Sequence, residues 1–137
     1  MTTYYRILFI ISFGLVSCFG CAAPTIHSFK SKLVNIEVLS HGYDEGGEFC
    51  KDFTLTSKQV EWFFSRAKVL DAQLLHDQFD ILPCWVRGTA QSTQGKSQWE
   101  IRAGGTARIV FENGSVVLQG CGECDAVLGG GEVLPKQ

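Results

Sequence analysis

An α+β fold, an antiparallel sheet with one helix packed on one face, is predicted by three features of the chain. Leu33 to Leu39 alternates in hydropathy with period two. Thr56 to Leu70 carries an apolar stripe at helical spacing behind a capping signal. Between residues 84 and 121, short apolar segments are separated by glycine-bearing turns.

In the first strand Val34, Ile36 and Val38 lie on one parity, against Leu33, Asn35, Glu37 and Leu39. His41 to Glu48 reads as a glycine-rich acidic turn. Phe49, Phe53 and Leu55 then share a parity, which predicts a second strand and an N-terminal hairpin. Thr56 with Gln59 three residues on forms a capping box, flanked by Leu55 and Val60 at the staple positions. Val60, Phe63, Phe64, Ala67 and Leu70 make the buried stripe, and the helix is expected to run to about Leu70. Asp71 to Leu82 is a polar connection with room for one more helical turn.

A four-stranded C-terminal meander follows. A two-residue turn at Asn113-Gly114 opposes Phe111 with Val116, Ile109 with Leu118 and Ala107 with Gly120. A three-residue loop at 103–105 opposes Ile101 with Ala107, Trp99 with Ile109 and Glu100 with Arg108. A turn at Gln94-Gly95 opposes Ala90 with Trp99 and Gly88 with Ile101. All three turns place apolar or small residues on one face, the face the helix should cover.

The opposite face then carries Trp85, Arg87, Thr89, Glu100, Arg102, Arg108, Val110, Val117 and Gln119. A tryptophan among arginines has the composition of a protein-binding hot spot, so Trp85, Arg87, Arg102 and Arg108 are the candidate partner-binding residues. In this register Arg87 opposes Arg102, which calls for an anion or acidic partner over them. A solvated, charge-balanced sheet face is the competing reading.

Six cysteines occur in the chain: Cys18, Cys21, Cys50, Cys84, Cys121 and Cys124. Cys121-Gly122-Glu123-Cys124 has CxxC spacing, which serves redox dithiols, zinc half-sites and plain disulfides. A redox dithiol needs a following helix, and none is expected between Asp125 and the glycines at 129–131. Structural disulfides are favoured; all three pairings of Cys50, Cys84, Cys121 and Cys124 remain open, with Cys50–Cys84 and Cys121–Cys124 preferred. Asp44, Glu45 and Glu48 fit no calcium-loop spacing. His76, Asp77 and Asp80 have no recognisable catalytic geometry. No nucleophile elbow or phosphate loop is present, so no cofactor is implied and an enzyme is the minority reading.

The N-terminus indicates location. Met1 to Tyr5 carries no acid, Arg6 supplies one positive charge, and Ile7 to Val16 is apolar apart from Ser12 and Gly14. Such a segment has the layout of a secretory signal and is too short for a spanning helix. Leu15-Val16-Ser17-Cys18 resembles the lipobox of bacterial lipoproteins. The resemblance implies cleavage before the cysteine, a diacylglycerol thioether on it, and acylation of the new amino group. Together these chains hold a small domain stably on a membrane. Cys18 has the better motif. Cys21 follows the small residue Gly20 and would leave an even number of cysteines to pair. An ordinary secretory cut after Ala22 is a third possibility.

Neither Phe19 nor Ala22 is the aspartate that in this family retains lipoproteins in the inner membrane, so the resemblance implies an outer-membrane anchor facing the periplasm. An exported, oxidising location agrees with disulfides. The chain has 12 basic against 14 acidic residues, and losing the leader removes one more base. The charge balance argues weakly against a nucleic-acid partner, and the exported location argues against it more strongly, so none is expected. Residues 1–17 are thus the expected signal peptide, 18–32 a tether, 33–128 a single domain and 129–137 a flexible tail. In layout the domain resembles small cysteine-containing envelope lipoproteins of Gram-negative bacteria. That resemblance leaves open a binding or protective module, a thiol-disulfide protein using the CxxC pair, and a structural accessory of an envelope complex.

Overall fold

The computed structural model describes residues 32–129; the leader, Cys18, Cys21, most of the tether and the expected tail beyond Gly129 lie outside the described residues. The domain is α+β, built on an open six-stranded antiparallel sheet. In chain order its elements are β1 (Val34–Tyr43), a 3₁₀ turn (Glu48–Cys50), α1 (Ser57–Arg66), β2 (Lys68–Leu70), α2 (Ala72–Gln78), β3 (Cys84–Ser92), β4 (Gly95–Arg102), β5 (Thr106–Phe111), β6 (Val116–Gly120) and α3 (Asp125–Leu128). The sheet order is β1-β3-β4-β5-β6-β2.

The capping box forms as the sequence predicts. Thr56 Oγ1 accepts from the Gln59 amide at 3.3 Å, and Gln59 Oε1 accepts from the Thr56 amide at 2.8 Å. Val60 and Phe63 from α1 are fully buried against the sheet. Phe64 meets Trp99 edge to face at 6.0 Å. Trp99 is held by a hydrogen bond from Nε1 to the Thr89 carbonyl at 2.9 Å. Its ring lies on Gly88, where a Cβ would run into both the indole and the Glu37 carbonyl.

The helix ends at Arg66 rather than near Leu70. Lys68–Leu70 leaves it to pair with β6, covering what would otherwise be an unpaired edge. The expected N-terminal hairpin does not form. Residues 49–55 make a 3₁₀ turn and an unpaired segment, with Phe49 70% exposed, and β1 pairs with β3 instead. The Cys50–Cys84 disulfide and the Asp44 amide bonded to the Pro83 carbonyl at 3.1 Å tie this segment to the start of β3. β1 also continues through His41-Gly42-Tyr43, and bulges at 34–37 and 38–40 break its simple alternation.

The meander is present, and two of its three registers differ from expectation. The loop at 103–105 gives Ile101–Ala107, Trp99–Ile109 and Glu100–Arg108 as predicted. The β3–β4 turn falls at Thr93-Gln94, so Gly88 faces Trp99 and Val86 faces Ile101. This two-residue slip keeps every side chain on its face but changes its partner. The β5–β6 connection is a three-residue loop, with Gly114 at φ +81° and the Phe111 amide bonded to the Ser115 carbonyl at 3.0 Å. The one-residue change turns β6 over: Val117 and Gln119 face the core, and Leu118 faces out.

The expectation of a single helix is also incomplete. Asp71 Oδ1 caps α2 by accepting from the Leu74 amide at 2.8 Å. The α2–Pro83 segment covers one end of the outer sheet face: Phe79 packs on Gly120, and the Asp80 backbone lies against Gly104. α3 buries Val127 and Leu128, and the Val127 carbonyl accepts from Gln59 Nε2 at 3.5 Å.

Candidate functional site

All four predicted partner-binding residues lie on the outer face, with Arg102 half-buried at the edge of the part that the α2–Pro83 segment covers. Trp85 and Arg87 come from β3, Arg102 from β4 and Arg108 from β5. The corrected register sets Arg87 opposite Glu100, not opposite Arg102, so the like-charge pair disappears.

Glu100 receives both arginines. Arg87 Nε donates to Oε2 at 2.7 Å and Arg102 Nε to Oε1 at 2.8 Å. Arg102 Nη1 donates further to Asp44 Oδ2 at 2.6 Å and to the Leu82 carbonyl at 3.1 Å. The Arg87 guanidinium stacks over the Trp85 ring at 3.8 Å. The ring also lies against Gly42, where a Cβ would approach it to 2.7 Å. The structure thus converts most of the predicted hot spot into an internal strap that closes the 44–47 loop onto the sheet.

The electrostatics agree. The Arg102 hydrogen bond, and then its charge, hold the Asp44 carboxyl below its ordinary value, with partial desolvation opposing them. Trp85 Nε1 is buried without a hydrogen-bond partner among the described residues, and the nearby indole adds a smaller lowering at Asp44. Burial alone would depress Arg102. The Asp44 hydrogen bond and the Glu100 charge outweigh it and raise the value.

Arg108 is different. It is exposed, and among the described residues it has no ion pair; Glu100, its cross-strand neighbour, pairs with Arg87 and Arg102 instead. It borders an open depression of about 460 Å³ between β1 and β5, with Leu39, Thr89, Gln98 and Val110 around it. Leu39 is 65% exposed there and Val116 on β6 is 45% exposed. Val117 and Gln119, expected on this face, are not part of it.

Cys50 pairs with Cys84 and Cys121 with Cys124. The second pair is 2% and 0% exposed and belongs to the hydrophobic core. Contrary to expectation, one helical turn does follow the motif, with Cys124 at its N-cap. Of the acidic loop, Asp44 serves Arg102, while Glu45 and Glu48 are exposed. His76 lies 3.5 Å from Asp77 on an exposed surface, and Asp80 contributes backbone packing at Gly104. No helix among the described residues is long and apolar enough to cross a membrane.

The role of Asp44 in the strap leaves no local signal in the sequence, since its arginine partner lies 58 positions away. Comparisons with protein-family models, with curated proteins and with solved structures each gave no match.

Proposed function

We propose that this chain is a lipid-anchored envelope protein whose domain binds a protein partner without catalysis, through the open half of the outer sheet face. The observation that carries the binding reading is Arg108: an exposed guanidinium with no ion pair among the described residues, beside exposed aliphatic side chains, on a face whose other arginines are internally matched. That pattern suits a partner presenting a carboxylate flanked by apolar groups. Anchoring through Cys18, or Cys21 in its place, at the periplasmic side of the outer membrane rests on the lipobox resemblance. The burial of Cys121 and Cys124 favours a staple over a working dithiol.

A photo-crosslinking residue placed at Val110 in cells tests the binding reading. The expected result is one defined protein adduct that disappears with Arg108→Glu. No adduct, or one indifferent to Arg108→Glu, would overturn it. Arg87 and Arg102 are unsuitable probes, because reversing either breaks the strap.

A further inference from the structure

A second cleft lies on the core side, away from the arginine face. Its walls are the start of β1, with Leu33 and Ile36, the end of α1, with Phe64 and Ala67, and Gln119 from β6. β1 and β6 are not neighbours in the sheet, yet residues of both line this cleft together with the end of α1. The volume is about 520 Å³, within the range of small-molecule sites.

Gln119 makes this more than a dent. It is 4% exposed, and its Oε1 is buried with no hydrogen-bond partner among the described residues. The β6 register puts it there: between Ala107 on β5 and Val69 on β2, where the simple apolar pattern would have placed a neighbour. A buried amide oxygen without a partner is costly. Other polar groups at the cleft are occupied: Ser65 Oγ donates to the Trp62 carbonyl at 2.6 Å, and Asn35 Nδ2 to Gln91 Oε1 at 3.0 Å. Lys32 and Glu61 at the rim are of opposite sign, so the cleft has no net charge to select an ion.

We propose that this cleft binds a small uncharged amide, of the size of an N-acylated amino acid amide. The amide of such a ligand pairs donor to acceptor with Gln119, and its aliphatic side chain lies against Phe64, Leu33 and Ile36. A side-chain carboxamide both donates and accepts, which is the complement of another amide. The ligand supplies the hydrogen bond that the fold leaves unmade.

The test is titration of the ¹⁵N-labelled full chain in detergent micelles with N-acetyl-leucinamide, followed by heteronuclear NMR. A probe this small should bind in the millimolar range. The expected result is a saturable shift of the Gln119 side-chain NH₂ signals together with the Ile36 and Phe64 backbone amides. In Gln119→Leu, which keeps the packing, binding should weaken at least tenfold. Absence of a saturable shift at Gln119, or equal binding by Gln119→Leu, would overturn the proposal. Neither outcome bears on the Arg108 surface.

Discussion

Arg102 Nη1 meets Asp44 Oδ2 at 2.6 Å and so ties the loop after β1 to the middle of the sheet. The pair has a definite pH signature. Folding lowers the Asp44 pKa from its ordinary 3.8, so the ionised carboxylate favours the folded state. Its contribution is complete above the ordinary value and disappears as pH falls through the lower folded value. Asp44→Asn should therefore lower the thermal midpoint at neutral pH. The gap to wild type should close in strong acid, and a gap constant with pH would contradict the pairing.

Gly88 is where the sheet makes room for Trp99. An added methyl meets both the indole and the Glu37 carbonyl, which is backbone and cannot yield cheaply. Gly88→Ala should destabilise by roughly 1–3 kcal/mol in urea unfolding, as overpacked cores do. Gly122→Ala serves as the control, since nothing lies within 4 Å of its Cβ position. It should be close to neutral.

The two disulfides should differ in what they do. Cys50–Cys84 closes a separation of 34 residues, so the chain-entropy account assigns it about 4 kcal/mol. Cys50→Ala with Cys84→Ala should lose stability of that order and loosen the 44–55 segment in hydrogen exchange. Cys121–Cys124 closes only three residues but is buried. In the native domain it should resist mild reductant and open only on unfolding, as read by alkylation against time.

Gln119→Leu should raise stability by about 1–2 kcal/mol, since it removes a buried polar group that lacks a partner. A fall in stability would mean that the amide is satisfied within the fold.

The residues that could be read in advance were those whose signal is local. The capping box is one, because Thr56 and Gln59 bond to each other's backbone. The 103–105 loop is another, where Gly105 at φ +81° suits the hairpin bend. Non-local choices were not legible. Asn113-Gly114 suggested a two-residue turn, yet Gly114 serves equally well as the left-handed closing residue of a three-residue loop. That single difference decides whether Leu118 or Gln119 faces the core. The Phe49–Leu55 parity suggested a strand, but a strand needs a neighbour, and β1 had already paired with β3. At the candidate site Trp85, Arg87, Arg102 and Arg108 share a face as expected. Their division into three strap residues and one free cation depended on the β3–β4 register and on the distant Asp44.

The claim that this is a lipid-anchored, disulfide-stapled module is tested most directly by intact mass. The protein would be extracted from membranes, alkylated without reduction, and mapped by peptides. The account predicts acyl mass on Cys18 or Cys21 and no alkylation of Cys50, Cys84, Cys121 or Cys124. A chain that keeps residues 1–17 and carries no lipid, or one alkylated at Cys121 and Cys124, would contradict it.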